Sequence, residues 1–171
     1  MSAYYFRILI DVGVQMKKKI ALDVGDKTIG VAVSDDLLMT GQGVTTIHRV
    51  GIRKDAGKII DLVKEYDCDT IVVGLPRKLD GTDSPQTEKV HEFRKMLENK
   101  LLSLGMSKTV DIVYQDERFT TVMAEKVPIE ADVSRKKRKE VIDKQAAVLI
   151  MQGYLDKLDY ERRNNIKNSE R

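Results

Sequence analysis

Four acidic residues in this 171-residue chain stand where chemistry can be done. Asp23 closes the apolar run Ile20-Ala21-Leu22, just before Gly25. Asp116 and Glu117 follow a second apolar stretch, Val110–Gln115, and Asp143 lies in the helical stretch Val141-Ile142-Asp143-Lys144-Gln145-Ala146-Ala147. In α/β sheets, functional groups gather at the carboxyl ends of parallel strands. If the first and last strands are sheet neighbours, Asp23 and Asp116/Glu117 converge there, and a helix crossing that edge can bring Asp143 to them. At about 4 Å and an effective dielectric near 20, each like-charged pair costs about 4 kcal/mol. Such a cluster either takes up protons or binds divalent cations. Oxygen donors without His or Cys favour Mg²⁺ or Mn²⁺ over zinc. Two such ions about 4 Å apart can activate a water and stabilise the leaving oxygen of a phosphodiester. Each acid alone has an ordinary alternative. A strand-terminal Asp is commonly a turn former, Asp116-Glu117-Arg118 can be a local ion pair, and Asp143 can pair with Lys139 one helical turn before it.

The cations point the same way. Arg135, Lys136, Lys137, Arg138 and Lys139 form an unbroken run that ends four residues before Asp143. Cations entering a helix are opposed by its macrodipole. A solvated helix start is the plain reading; a phosphodiester backbone nearby would relieve the opposition. Other constellations are weaker. The segment Asp23–Gly30 has neither the glycine spacing of a Walker loop nor that of a dinucleotide fingerprint. His48 and His91 are single and far apart, so surface or packing roles are expected. Cys68 is expected to pack near a helix–strand join.

The elements that must position these groups follow from periodicity. Lys19–Asp23 and Ile29–Ser34 read as two strands joined by a glycine-containing turn, and Val44–Ile47 as a third, antiparallel one. Ile52, Ala56, Ile59, Ile60 and Val63 give a helical period. Thr70–Gly74 is a short continuous apolar run suited to a parallel strand buried on both faces. It opens into the Pro-, Gly- and Asp-rich stretch Leu75–Ser84. A helix is expected over Thr87–Leu104 with Gly105 as its stop, a strand over Val110–Gln115, a helix from Val122, a loop over Pro128–Ser134, and a last long helix over Glu140–Leu158. The order β-β-β-α-β-α-β-α-α gives a mixed five-stranded α/β sheet, three antiparallel strands plus two parallel, with helices on both faces.

Composition sets the outer limits. The length fits one domain with its own core. Thirty basic against 27 acidic residues give a net charge of +3, which permits nucleic-acid binding without demanding it. The single cysteine excludes an intramolecular disulfide framework and a cysteine-based zinc cluster. No tryptophan and 5% aromatics disfavour a single-strand binder built on stacking. Apolar runs reach four or five residues, as at Ile29–Val33, too short to span a bilayer. A reduced cytoplasmic setting without membrane attachment is expected. Residues 1–15 carry no signal-peptide pattern, and Met16 followed by Lys17-Lys18-Lys19 looks like a second start. We expect 1–15 to be an extension or a mis-called start, 16–158 to be a single domain, and 159–171 to be a polar, flexible tail.

The motifs, taken in order, resemble those of the YqgF family, also called RuvX. Ile20-Ala21-Leu22-Asp23-Val24-Gly25-Asp26-Lys27-Thr28-Ile29-Gly30-Val31-Ala32-Val33-Ser34-Asp35 is similar to the family's opening motif. Val72-Val73-Gly74-Leu75-Pro76, then Asp80-Gly81 and Gln86-Thr87-Glu88-Lys89-Val90, is similar to the second. Asp116-Glu117-Arg118-Phe119-Thr120-Thr121 with Ala124-Glu125 is similar to the third. Arg135–Lys139 and Ile142–Ala147 with Gln152-Gly153-Tyr154-Leu155 are similar to the fourth. The match covers about Met16 to Asp156. The resemblance implies a ribonuclease H-like fold and a metal-dependent nuclease acting on precursor 16S rRNA or on Holliday junctions. It implies Asp23, Glu117 and Asp143 as holders of Mg²⁺ or Mn²⁺, with Asp116 the alternative to Glu117 and a further catalytic candidate. Leu75–Thr87 becomes a substrate-facing flap, with Lys78, Asp80 and Thr87 as candidates. Lys27, Lys78, Arg118 and Arg135–Lys139 are the candidate contacts to nucleic acid.

Several functions compete. One is an endonuclease trimming the 5′ end of precursor 16S rRNA. A second applies the same chemistry to branched DNA, which favours a two-fold homodimer, whereas a monomer favours the RNA. A third is a nucleic-acid-binding protein that has lost activity, and a fourth an ATPase-like module. Backbone- and shape-based recognition leaves the RNA and DNA readings open in the sequence.

Overall fold

The computed structural model describes residues 16–78, 80–117 and 135–169; side-chain surroundings are described for 140–165 of the last stretch. Five strands form one sheet: β1 (Lys18–Val24), β2 (Thr28–Ser34), β3 (Gly41–His48), β4 (Cys68–Leu75) and β5 (Asp111–Asp116). Among the described residues three helices accompany them: α1 (Ile52–Glu65), α2 (Pro85–Ser103) and α3 (Arg135–Ser169). The strand order is β3-β2-β1-β4-β5. β1, β2 and β3 are antiparallel, while β4 and β5 run parallel to β1. This is the mixed α/β sheet expected of a ribonuclease H-like fold. One expectation is corrected: β1 and β5 are not neighbours, because β4 lies between them.

The strands alternate between two apolar layers. Ile20, Leu22 and Val24 of β1, Ile29, Val31 and Val33 of β2, and Ile71, Val73 and Leu75 of β4 pack with α1 and α2. Ala21, Ala32 and Val72 face α3 with Ala147, Ile150, Met151 and Leu155. Small residues on this second face let one helix lie directly across β1, β2 and β3. β2 is buried along its whole length, as a strand covered on both faces must be.

Local chemistry sets the boundaries. α1 ends at Tyr66, and Asp67 takes a left-handed φ of 50° that turns the chain into β4. Cys68, the first residue of β4, is buried in the α1/α2 core, and burial pushes its thiol up to about 12. α2 starts at Pro85 behind a capping box: the Thr87 N–H donates to the Ser84 hydroxyl, and the Ser84 N–H donates to the Thr87 hydroxyl. Gly105 follows the helix with φ 70°. α3 begins at Arg135 rather than Glu140 and runs to Ser169 rather than Leu158. Its polar continuation carries i,i+4 pairs, Lys157–Glu161 and Asp159–Arg163, that support helix without a core beneath it. The expected helix from Val122, the loop 128–134 and residues 1–15 lie outside the described residues. Among the described residues, no helix is long and apolar enough to cross a membrane.

Candidate active site

β1 delivers Asp23 to the carboxyl end of the sheet on the α3 face, one residue beyond Leu22 on the α1/α2 side. Across the antiparallel pairing its partner is Gly30. On the parallel side Leu22 pairs with Val73, so the next residue, Gly74, comes alongside Asp23. A glycine thus flanks this carboxylate on both neighbouring strands.

Both glycines make room for another acid. A Cβ on Gly30 would lie 2.0 Å from the main-chain oxygen of Asp143 and 2.6 Å from its carbonyl carbon. α3 therefore rests its backbone on bare β2 at the residue that carries the Asp143 carboxyl. A Cβ on Gly74 would lie 1.9 Å from Glu117 Oε1 and 2.4 Å from Ile150 Cδ1. Glu117 follows β5, and its N–H donates to the Leu75 carbonyl at 3.3 Å. Its side chain lies over Gly74 on β4. That is how an acid from the outer strand approaches Asp23 although a whole strand separates β5 from β1.

Alternation also separates the two consecutive acids. Asp116 has the parity of Ile112 and Tyr114, which pack against the α1/α2 core; Glu117 has the parity of Val113, on the α3 side. Asp116 reaches the site as a charge that helps raise Glu117.

The electrostatics are those of a crowded anionic corner. Burial, then repulsion by Asp143, pushes Asp23 up to about 6. Burial, then the charges of Asp23 and Asp116, pushes Glu117 up to about 8. Among the described residues, the Asp143 Oδ2 atom is buried with no hydrogen-bond partner. The arrangement is two pairs that share Asp23. Among the described residues no three acidic, imidazole or thiol groups are close enough to form a finished metal cage.

The other expected residues fall as follows. Lys27 is exposed in the β1–β2 turn. Lys78 is exposed and bonded by its backbone to Thr82 and Gly81 in a tight loop. Asp80 accepts from the Thr82 N–H and hydroxyl, which holds its carboxyl below the usual range. Thr87 is buried; its hydroxyl caps α2 and donates to the Pro76 carbonyl, so it fastens the loop rather than facing solvent. Arg135, Lys136, Lys137, Arg138 and Lys139 form the first turns of α3, their side chains lying outside the described residues, as does Arg118. His48 pairs with Glu140, and His91 with the Tyr114 hydroxyl. Sequence reasoning passed over Gly30 and Gly74. The available signal was a lone glycine inside a β-branched run, Ile29-Gly30-Val31 and Val73-Gly74-Leu75, which marks a close approach.

Residues 17–157 match the family model described as "RuvX: Holliday junction resolvase". The chain belongs to the RuvX family. Among RuvX relatives, a protein of Clostridium tetani named "Putative pre-16S rRNA nuclease" is 50% identical over 137 residues, covering 80% of this chain and 94% of the relative. One of the same name from Clostridioides difficile is 51% identical over 135 residues, covering 79% and 91%. The yeast mitochondrial Holliday junction resolvase superposes with a TM-score of 0.51 at 11% identity, covering 89% of this chain and 83% of that one. At that identity the likeness concerns the fold alone.

Proposed function

We propose that this RuvX protein is a divalent-cation-dependent endonuclease hydrolysing phosphodiesters in structured RNA, and that it trims the 5′ end of precursor 16S rRNA in the cytoplasm. One observation carries the reading: Asp23 is crowded by Glu117 and Asp143 through two glycine gaps, with an orphaned buried oxygen on Asp143. A sheet does not assemble three repelling acids for stability, since removing any one would lower the cost.

The residues fit a hard cation. All donors are carboxylates, Asp23 and Glu117 hold protons more tightly than usual, and one buried Asp143 oxygen lacks a partner among the described residues. Asp23, Glu117 and Asp143 would hold Mg²⁺ or Mn²⁺, which when bound supplies positive charge for an attacking water and for the leaving oxygen. Without it, Glu117 retains its proton at neutral pH while Asp23 is mostly ionised. Glu117 would give up that proton to hold a cation. Gly30 lets the α3 backbone at Asp143, and Gly74 the Glu117 side chain, approach the strand that carries Asp23, and buried surroundings strengthen each charge interaction. The backbone of Arg135–Lys139 lies within about three turns before Asp143, where the helix N-terminus adds its own positive end. Those cations would hold the phosphate backbone irrespective of base sequence.

The names of the two relatives favour the RNA; the family description favours four-way DNA junctions as the second reading. Pure protein incubated with Mg²⁺ or Mn²⁺ against precursor rRNA and against a four-way junction decides between them, with Asp23→Asn alongside. Cleavage of rRNA alone by a monomer supports the first reading, and paired symmetric cuts in the junction by a dimer the second. Equal cleavage by Asp23→Asn would refute both.

A further inference from the structure

The chain just after Asp23 is held by side chains from two other elements. Gln86, in the first turn of α2, donates its amide Nε2–H to the Val24 carbonyl at 2.7 Å. Arg49, in the β3–α1 turn, donates through Nη1 to the Gly25 carbonyl at 2.9 Å. Two successive carbonyls beyond the acid are thus taken by donors 62 and 24 residues away.

Each donor is itself fixed. Arg49 Nε donates to Asp55 Oδ2 at 3.2 Å, its guanidinium lies 5.4 Å from the Phe93 ring centroid, and Asp55 is fully buried. Asp55 Oδ1 accepts the Val50 N–H at 3.0 Å, so both carboxylate oxygens are used and Asp55 is itself held in place to receive the guanidinium. Gln86 stands between Pro85 and Thr87, whose hydroxyl caps the helix and donates to the Pro76 carbonyl. The first turn of α2 therefore holds the exit of β1 and the exit of β4 together. β1 carries Asp23, and β4 carries the bare glycine under Glu117.

We propose that Gln86 and Arg49 are positioning residues that set the end of β1, and with it the Asp23 carboxylate, relative to Gly74 and Glu117. The inference rests on the nuclease reading above and deepens it. Neither residue faces the acids; both act through the backbone. A one-ångström misplacement of an acid is enough to lower turnover by about a hundredfold, whereas the fold has many other ties between α2 and the sheet.

The test uses the full chain and three variants. Gln86→Glu keeps the shape and places an acid in the first turn of α2, which favours the helix, but replaces the donor with an oxygen facing the Val24 carbonyl. Gln86→Met removes the donor without adding charge. Arg49→Lys keeps a cation for the buried Asp55 while one ammonium replaces the two-point grip. We expect turnover to fall tenfold or more, KM for the nucleic acid to stay within about twofold, melting temperature to stay within a few degrees, and Mn²⁺ affinity, measured without substrate, to weaken. Melting temperature falling while turnover per folded molecule holds would make the residues structural and overturn the proposal, as would unchanged turnover and Mn²⁺ affinity. A wild-type protein that binds Mn²⁺ but cleaves nothing, with weakened binding in the variants, would refute the nuclease reading and uphold the positioning. A wild-type protein that does neither would overturn both.

Discussion

Replacing Glu117 by Gln tests the crowding of the acids directly, and its effect must depend on pH. Glu117 sits at about 8, against 4.5 for an ordinary glutamate. The native state therefore binds a proton more tightly than the unfolded chain does between these values. Below about pH 4.5 the group is protonated in both states, and the native protein carries no penalty. As pH rises toward 8 the unfolded chain ionises more easily, and native stability is lost progressively. Each pH unit across that window is worth about 1.4 kcal/mol, so the full penalty above pH 8 is on the order of 3–5 kcal/mol. Gln has the shape of the protonated acid and cannot ionise. Glu117→Gln should match the wild type near pH 4.5 and exceed it by that amount above pH 8. Urea unfolding of both proteins across pH 4.5–9 with a chelator present reads the difference directly, and comparing the two cancels the other titrating groups. A difference that stays flat with pH, or a Gln variant less stable at pH 9, would refute the reasoning.

Other expectations follow from the same corner. Gly74→Ala meets first the side-chain ends of Glu117 and Ile150; it should unfold about 1–3 kcal/mol more easily and lose cleavage because Glu117 is pushed from Asp23. Gly30→Ala meets the main chain of α3 and should be the less stable of the two in the same urea titration. Asp143→Asn should lose metal-dependent cleavage while melting at or slightly above the wild-type temperature, since a repulsion on Asp23 is removed; a large drop in melting temperature would make Asp143 structural. Neutralising Arg135–Lys139 should weaken nucleic-acid binding across all sequences and flatten its dependence on salt, measured by fluorescence anisotropy.

Much of this was legible in the sequence because it rests on periodicity. The apolar runs Lys19–Asp23 and Ile29–Ser34 around a glycine-containing turn, the continuous run Thr70–Gly74 and the helical spacing of Ile52–Val63 each name an element, and the observed strands and helices follow them within a few residues. Asp23 and the Asp116-Glu117 pair were legible as candidates because they end apolar runs, and Asp143 because it lies in a helical stretch just after the basic run Arg135–Lys139. Which of Asp116 and Glu117 shares a face with Asp23 was not, since it depends on which side of the outer strand meets α3. The insertion of β4 between β1 and β5 was equally hidden: strand order is a tertiary choice that local pattern leaves open. Gly74 reconciles that order with the converging acids. The grip of Gln86 and Arg49 on Val24 and Gly25 joins residues whose separation in the chain carries no pattern at all. The length of α3 was underestimated because its last turns are polar and held by ion pairs rather than by a core.

The missing side chains at Gly30 and Gly74, whose places are taken by the Asp143 main chain and by the Glu117 and Ile150 side chains, offer a way of sorting distant cousins of this protein. On the proposed reading, a homologue is scored for competence not by its acids alone but by whether both positions still lack a side chain. On that same reading, a chain that keeps all three carboxyls and carries a bulky side chain in place of either glycine would no longer bring them together, and would bind without cutting.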